Sequence, residues 1–401
     1  SIKVANLCLH IEAGFPEISQ SYNLHCIDSV GEMHSREFIQ GKIKSMSLES
    51  RGVADITLGN PPYVQYKQDS RERLQELGYA TAKTNNLSAI FLEQALEITE
   101  IGGVVCQIIP ISIVQSAAME AARSLLLSRS SEISIEAFDC VPGYIFDQGK
   151  IGSNSNRSIT RQVAIVSAVR GDLEAEVRVS RMIRWGSSER DELFDSVELV
   201  GLPSEWGLEE KFPMLGDPDA VQNFGHMLGL DSSISNLYGN GRFGLYITKA
   251  VRYFITGIWT SLGRRNELAL KFDERFPRDL AMVIVNSSFF YWYWKVVGNG
   301  FQVNRSEVSS LRIPSPSSIR TELRDEVTKM ANRLSSSRGR LTVEKSNRGI
   351  IRNVKYDLDR KLMSDLDELV DKIYEFPIPS YPFYASKSNN LRDYSLLMQQ
   401  Q

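Results

Sequence analysis

Four consecutive residues, Asn60-Pro61-Pro62-Tyr63, carry the side chains with the clearest chemical potential. They follow Val53 to Leu58, an apolar stretch interrupted by Asp55 and Thr57, which predicts a short buried strand. Because Asn60 precedes a proline, its backbone is extended, and each proline fixes its own φ near about −65°. The pattern therefore predicts a rigid hook at the end of a strand, with an amide, a proline carbonyl and a phenol ring close together.

Such a hook suits the activation of an aromatic amine such as the exocyclic nitrogen of adenine. The lone pair of that nitrogen is delocalised into the ring, so the amine is a poor nucleophile. The Asn60 side-chain oxygen and a proline carbonyl can both accept its N–H hydrogens, and Tyr63 can stack on the base. No acid or base is strictly needed, because positioning and electrostatics can lower much of the barrier. The alternative interpretation is an ordinary Asn-Pro turn.

The composition is that of an ordinary globular protein, and the sequence restricts its expected cellular location and partners. The chain has 401 residues, enough for two or three domains, with 42% hydrophobic and 24% charged residues. No apolar run approaches a membrane span, Ser1-Ile2-Lys3 begins no signal peptide, and we expect a cytoplasmic protein without a membrane partner. The net charge of −3 argues against a purely electrostatic nucleic-acid binder but allows DNA binding in a local cleft. No metal spacing occurs, and the scattered cysteines are expected to be reduced core thiols: Cys8, Cys26, Cys106 and Cys140.

The elements that must position the hook alternate between strands and helices. This order predicts an α/β fold with a doubly wound sheet that finishes in a hairpin. In such sheets ligands bind at the carboxyl ends of the strands, where the hook is placed. The predicted elements after the hook are an amphipathic helix at Asn85–Ile101 stopped by Gly102-Gly103, strands at Val104–Pro110, Ile133–Phe138 and Val163–Val169, and a helix at Met119–Leu127.

Three further stretches extend the pattern beyond the hook: Asn86–Leu96, Gly102–Val105 and Ile109-Pro110. Together with the hook they resemble gamma-class adenine-N6 DNA methyltransferases, which include large fused restriction–modification and phage-defence proteins. The resemblance covers about residues 1–170 well and the remainder loosely. It implies a partial Rossmann-like sheet and a site-specific enzyme that transfers a methyl group from S-adenosylmethionine to an adenine flipped out of double-stranded DNA. Its catalytic residues would be Asn60, Pro61, Pro62 and Tyr63.

The same resemblance implies residues that bind the cofactor and the base. Asp28 and Ser29, at the end of a predicted strand at Tyr22–Ser29, would contact the cofactor, and Phe91 would pack on it. Asp28 can also be a helix cap or turn residue, and Phe91 can be plain helix core. Phe146 would stack on the flipped base, with Tyr144 as the rival.

The family also carries a glycine-rich fingerprint and an acidic ribose-binding residue upstream of these motifs, and neither occurs in this sequence. The helical pattern at Ser1–Ile11 is already under way, so we expect the chain to begin inside a domain. Another chain or an upstream domain could supply the fingerprint or a nuclease. The alternative function is a non-catalytic or truncated DNA-recognition subunit of a restriction–modification or defence complex.

The rest of the chain predicts a second functional unit. We expect the catalytic domain at 1–170, a linker and the start of a second domain at 171–240, a mixed α+β DNA-specificity domain at 241–316, and a helical C-terminal segment at 317–401. Asn286–Trp292 and Leu311–Pro314 resemble the specificity domain of the same enzymes. Leu280–Trp294 predicts one apolar helix whose rings serve packing, which leaves Gly298–Arg305 as the better candidates for DNA contact.

Overall fold

The computed structural model describes residues 54–140, 145, 162–185, 189–195, 197–249, 251, 255–263, 266–300, 302–337, 342–346, 350–354 and 360–378. For 342–346, 350–354 and 360 it describes the backbone alone. The predicted strand at Tyr22–Ser29 and the base-stacking candidates Tyr144 and Phe146 lie outside the described residues. Within the described ranges, no helix has both the length and the apolar character needed to cross a membrane.

A six-stranded mixed sheet forms the first half of the described chain. Its strands are β1 (Ala54–Gly59), β2 (Thr99–Pro110), β3 (Ser130–Phe138), β4 (Val163–Arg170), β5 (Glu176–Ile183) and β6 (Val200–Gly201), in the order β1-β2-β4-β3-β5-β6. β1 is parallel to β2, β4 is antiparallel to β2 and β3, and β5 is parallel to β3. Consequently β1, β2, β3 and β5 all end at one edge of the sheet, here called the carboxyl edge, and β4 begins there.

Helices cover this sheet because their apolar faces match its buried side chains. The helices of this half are α1 (Gln68–Glu76), α2 (Leu87–Ile98), α3 (Ser112–Gln115) and α4 (Glu120–Arg129). α2 packs against β2, α4 packs against β3, and the two helices contact each other. Leu92 of α2, Leu126 of α4 and Val105 of β2 are fully buried there. The predicted α/β fold is confirmed, and β5, which was not predicted, joins the same sheet.

The helix at α2 ends earlier than the sequence predicted. It stops at Ile98, where the Thr99 hydroxyl donates to the Ala95 carbonyl at 2.7 Å, rather than at Gly102-Gly103. Both glycines lie inside β2. A Cβ on Gly103 would lie 2.7 Å from the Asp55 carbonyl oxygen, so β1 and β2 approach too closely there for any side chain. The prediction that two glycines stop the helix is therefore wrong: Gly103 allows a close strand contact, and Gly102 adopts a left-handed φ of +86°.

Strand β1 exists as predicted, but the prediction that it is buried is wrong, because each of its six residues is half-buried or exposed. Ile56 is 63% exposed and Leu58 is 74% exposed. Both side chains point to the same face, because strand residues alternate. β1 lies at the end of the described strand order with β2 as its partner, so its apolar residues lack the cover that a central parallel strand receives.

The second half combines a small antiparallel sheet with helices. Its order along the chain is α5 (Pro218–Leu228), β7 (Ser232–Ser233), β8 (Phe243–Thr248), β9 (Gly257–Ile258), β10 (Glu267–Phe272), α6 (Arg275–Asn286), α7 (Ser288–Val297), α8 (Arg305–Ser310), β11 (Arg312–Ile313), α9 (Thr321–Ser337), β12 (Thr342–Ser346), β13 (Ile350–Val354) and α10 (Arg360–Tyr374). The sheet order is β10-β8-β9, and β7 pairs with β11. α6 packs on this small sheet, while α7 also reaches β5 of the large sheet.

Two predictions for this half require correction. The apolar helix predicted at Leu280–Trp294 is two helices, because Ser287 caps α7 by accepting from the Phe290 N–H at 3.2 Å. The predicted helical C-terminal segment contains the hairpin β12–β13 between α9 and α10. The assignment of the aromatic rings to packing is confirmed, since the six consecutive residues from Phe289 to Trp294 are all buried.

Candidate active site

The hook lies at the carboxyl edge, directly after β1. Gly59, the last residue of β1, is in register with Gln107 of β2. Asn60 and Pro62 are exposed, Pro61 is buried, and Tyr63 is half-buried. The buried proline anchors the hook, while the Asn60 amide faces solvent beyond the strand ends. This is the arrangement that the sequence predicts for a group that must meet a ligand.

Tyr63 fixes the far end of the hook. Its hydroxyl donates to the Ile108 carbonyl of β2 at 2.9 Å. Its ring packs against a buried apolar cluster formed by Phe138, Val163, Ile183, Trp185 and Leu193. Ile145, which stands between the candidates Tyr144 and Phe146 in the sequence, packs against the same cluster, and the Arg190 guanidinium donates to its carbonyl at 3.0 Å.

The chain after the hook is tied to the start of α2. The Leu87 N–H donates to the Val64 carbonyl at 2.9 Å, and the Tyr66 N–H donates to the Asn85 carbonyl at 3.3 Å. The Tyr66 hydroxyl donates to the Ala82 carbonyl at 2.8 Å, and burial is the main cause that raises the pKa of this phenol. The hook and the helix that carries Phe91 are therefore one connected unit.

Gln107 of β2 lies next to both α2 and the last residue of β1. Its amide nitrogen donates to the Phe91 carbonyl at 3.2 Å and would lie 3.4 Å from a Cβ on Gly59. Its amide oxygen is buried and has no hydrogen-bond partner among the residues the structure describes. Phe91 itself is half-buried. Sequence reasoning passed over Gln107, although a glutamine inside an otherwise apolar strand next to the hook was a visible signal.

A second group of polar residues collects further along the carboxyl edge. Asp139 follows β3, Gln162 precedes β4, Arg184 follows β5, and Lys295 comes from α7. The Asp139 carboxylate accepts from the Cys140 N–H at 2.7 Å, from Gln162 at 2.8 Å, from Lys295 at 3.0 Å, and from the Arg184 guanidinium. We call these four side chains the Asp139 cluster.

Burial and the neighbouring charges shift the pKa values of the groups in the Asp139 cluster. Burial opposes the charged form of Asp139, but the Lys295 and Arg184 charges and their hydrogen bonds outweigh it and lower the carboxyl pKa. Burial lowers the pKa of Lys295 to about 8, against the opposing attraction of Asp139. Sequence reasoning did not single out these residues. The available signals were a lysine within an aromatic helix and an aspartate after an apolar strand.

The segment predicted to contact DNA borders this cluster. Lys295 donates to the Gly300 carbonyl at 3.3 Å, and the Trp294 indole donates to the Gln302 carbonyl at 3.1 Å. The Gln302 N–H donates to the Asn299 side chain at 2.8 Å. Gln302 and Arg305 are exposed. Two side chains of α7 therefore hydrogen-bond to the backbone of this segment, and the polar side chains of Gln302 and Arg305 are exposed.

A polar cavity of about 460 Å³ lies between the turn after α3 and residues 297–307. Its lining combines Arg123 and Lys211 with Glu120, Glu210 and Glu307. Burial lowers the pKa of Arg123 to about 10 and raises the pKa of Glu307. Because these carboxylates outnumber the cations, the cavity does not suit DNA phosphates, and we assign it no ligand.

The mixed sheet and the hook at its carboxyl edge define the class of fold as that of restriction–modification methyltransferases. One solved structure, the Type IIL restriction-modification enzyme MmeI in complex with DNA, aligns with 99% of this chain and 63% of its own, at a TM-score of 0.51 and 12% identity. The DrdV–DNA complex aligns with 54% of this chain and 24% of its own, at a TM-score of 0.34 and 16% identity. Only the first likeness has a TM-score above 0.5, and at 12% identity it shows the fold alone.

The match to a protein family covers a shorter part of the chain than the similarity in fold does. Residues 12–141 match the family described as Eco57I restriction-modification methylase. This range contains the hook, α2 and β2 but less than half of the chain. The chain spans less than two thirds of the length of the solved structures just described. No curated protein matches it. The match supports a DNA methyltransferase role for the part of the chain that carries the hook.

Proposed function

We propose that this chain is the catalytic and DNA-recognition part of a site-specific DNA adenine-N6 methyltransferase of a restriction–modification or phage-defence system. One observation carries the proposal. The Asn60–Tyr63 hook stands at the carboxyl edge of a methyltransferase-type sheet, with Asn60 exposed and Tyr63 anchored to β2. The family match over residues 12–141 supports it. Double-stranded DNA is the proposed partner, and the cytoplasm is the proposed location.

The hook would act on the target base through hydrogen bonds. The base must leave the duplex, because its amine is otherwise paired and stacked. The Asn60 side-chain oxygen and the Pro61 carbonyl would accept the two N–H hydrogens of the amine. These bonds localise the nitrogen lone pair and leave it free to attack. Since the acceptors are fixed by two prolines and the Tyr63 anchor, little reorganisation is needed during reaction.

Tyr63 and Phe146 are the proposed walls of the base pocket. The hydrogen bond from Tyr63 to Ile108 sets the plane of the phenol ring beside the hook. In this proposal the Tyr63 ring contacts one face of the flipped base and Phe146 the other, with Tyr144 as the rival. Stacking between aromatic rings contributes on the order of 1–3 kcal/mol per base in nucleic-acid complexes.

S-adenosylmethionine is the proposed cofactor, and it supplies an electrophilic methyl group when bound. The described residues fit such a group in two respects. Phe91 is half-buried and its carbonyl accepts from Gln107, and the buried Gln107 oxygen lacks a partner among the described residues. Phe91, Asp28 and Ser29 are the residues proposed to hold the cofactor. Another chain or domain is proposed to supply the glycine-rich part of its site.

The test is methyl transfer to unmethylated genomic DNA with a labelled methyl donor, followed by assay for N6-methyladenine. We expect Asn60→Ala to lower kcat by roughly 100-fold or more, because one acceptor aimed at a transition state typically contributes that much. Asn332→Ala is the matched control, since it makes the same change at an exposed position on α9. Equal activity of Asn60→Ala and wild type would refute the assignment.

Calorimetry separates the enzyme from the alternative function. Cofactor binding by the full chain, with or without DNA, supports the methyltransferase. DNA binding without cofactor binding, both by this chain and by the native protein that carries the glycine-rich part, would instead make the chain a recognition subunit.

A further inference from the structure

The Asp139 cluster is unusually complete for a buried charged group. Asp139 is 3% exposed, and hydrogen bonds from Cys140, Gln162, Arg184 and Lys295 all converge on its two carboxylate oxygens. Its two cationic partners are buried as well, with 5% of the Arg184 side chain and 8% of the Lys295 side chain exposed. Moving three charges out of water is costly, and such groups replaced by apolar residues often give equal or greater stability. Stability alone is therefore a weak reason for this arrangement.

The position of the cluster points to a different role. Asp139, Gln162 and Arg184 all stand at the carboxyl edge, the same edge that carries the hook, because β3 and β5 end there and β4 begins there. Lys295 reaches this edge from α7, which belongs to the second half of the chain. The cluster is therefore a joint between the sheet that carries the hook and the segment proposed to meet DNA.

A path of hydrogen bonds, linked by short stretches of covalent chain, crosses this joint. Tyr63 of the hook donates to Ile108, and three residues later the Ile111 N–H donates to the Gln162 carbonyl at 3.1 Å. The Gln162 amide donates to Asp139 at 2.8 Å. Lys295 completes the path, since its ammonium donates both to Asp139 at 3.0 Å and to the Gly300 carbonyl at 3.3 Å.

The last residue on the path lies close to the cluster in a conformation that favours glycine. Gly300 has φ +63°, a left-handed conformation that favours glycine. A Cβ there would lie 2.8 Å from the Gln162 amide nitrogen and 3.1 Å from the Lys295 ammonium. The backbone at Gly300 therefore lies directly against the cluster. This contact fixes the position from which the chain continues to the exposed Gln302.

We propose that Lys295, acting through Asp139, is a positioning residue that holds residues 298–300 and 302 in register with the hook. This inference rests on the proposed function, because it assigns the segment to DNA and the hook to the target base. DNA held by the segment would then be presented to Asn60 at a fixed offset. A displacement of about 1 Å at a reacting centre can cost roughly 100-fold in rate.

Lys295→Met separates this role from a merely structural one. Methionine keeps the length and unbranched shape of the lysine, and Asp139 stays paired with Arg184. The buried charge of the cluster falls from +1 to zero, so the midpoint of thermal unfolding should stay the same or rise. We nevertheless expect kcat for DNA methylation to fall at least ten-fold, with cofactor affinity unchanged.

A second readout does not depend on methyl transfer. Hydrogen exchange of the full chain without DNA reports on the Gln302 amide, which donates to Asn299 within the held segment. We expect this amide to exchange at least ten-fold faster in Lys295→Met. Gln162→Leu is the second variant, because it cuts the same path on the other side of Asp139 and leaves every charge in place.

Asp367→Asn is the matched control. Asp367 is 2% exposed and accepts from the Ser288 N–H at 2.7 Å, so it anchors the opposite end of α7. We expect this variant to lower the unfolding midpoint while kcat and Gln302 exchange stay at wild-type values. Normal kcat or normal Gln302 exchange in both Lys295→Met and Gln162→Leu would overturn the proposal. If wild type itself methylates no DNA, the proposed function fails, and the exchange result alone decides whether Lys295 holds the segment.

Discussion

At the scale of single residues, the hook depends on Tyr63 in two separable ways. The phenol ring is proposed to face the flipped base, while the hydroxyl ties the hook to Ile108. Tyr63→Phe keeps the ring and removes the hydrogen bond to the Ile108 carbonyl. We expect it to lower the free energy of unfolding by about 1 kcal/mol, the usual net contribution of one hydrogen bond. We expect kcat to fall less than ten-fold, because the stacking surface remains.

The measurement is urea unfolding of Tyr63→Phe and Tyr63→Ala together with their methylation rates. Tyr63→Ala removes both the ring and the tie, so its rate should fall much further than that of Tyr63→Phe. If the two variants lose the same activity, the hydroxyl rather than the ring carries the role of Tyr63.

Single residues also show where sequence reasoning succeeds. Asn60 to Tyr63 could be placed at a strand end because proline geometry and apolar patterning are local properties. Gln107 and Asp139 could not be placed, because their roles arise from partners such as Phe91 and Lys295 that only the fold brings near. The positions proposed for Asp28, Ser29 and Phe146 stay predictions.

At the scale of elements, periodicity predicted the type of most helices and strands but not their limits. Ser287 looks like an ordinary residue within an apolar run, yet its hydroxyl caps α7 and divides the predicted helix. Gly102-Gly103 looks like a helix stop, yet Gly103 allows the close approach of β1 and β2. The first outcome is set by a local cap, and the second by a tertiary contact between strands. Strand β5 was missed although Glu176–Val179 alternates polar and apolar residues, because the whole of 171–240 was interpreted as a linker and the start of a second domain.

Helix α7 carries a prediction about pH through Lys295. Its pKa falls from an ordinary 10.5 to about 8 in the folded chain, mainly because of burial. Below pH 8 both folded and unfolded chains hold the proton, and the folded chain bears the full cost of the buried charge. Between these two pKa values the unfolded chain binds more protons, so the contribution of this group to stability rises with pH.

We therefore expect the stability of wild type relative to Lys295→Met to rise by about 3 kcal/mol as pH rises through this window. Asp139, Arg184 and Cys140 face Lys295 and are present in both proteins, so the difference reports the lysine together with its coupling to these groups. Urea unfolding of both proteins at intervals from pH 7 to pH 10.5 tests this. A difference that stays constant with pH would mean that the Lys295 pKa is not lowered.

At the scale of the whole molecule, the two halves share one hydrophobic core. A contiguous cluster of buried side chains runs from Ala89 in α2 to Tyr374 in α10. Residues 209–214 join the halves directly. The Arg123 guanidinium donates to the Glu209 carbonyl at 2.7 Å, the Phe212 N–H donates to Val114 at 2.9 Å, and the Met214 N–H donates to Val296 at 3.0 Å. The segment predicted as a linker is therefore packed against both halves.

This packing predicts cooperative unfolding, and Phe212→Ala tests it. Phe212 is 1% exposed within the joining segment, so its truncation should lower the free energy of unfolding by about 3–5 kcal/mol. Because the core is continuous, the loss should appear equally in the hydrogen exchange of β3 and of α7, although they lie in different halves. Phe194→Ala is the matched control, since that ring is 56% exposed and should change stability by less than about 1 kcal/mol. If β3 keeps its wild-type protection while α7 loses its own, the halves unfold independently and the shared core does not couple the hook to the DNA-facing segment.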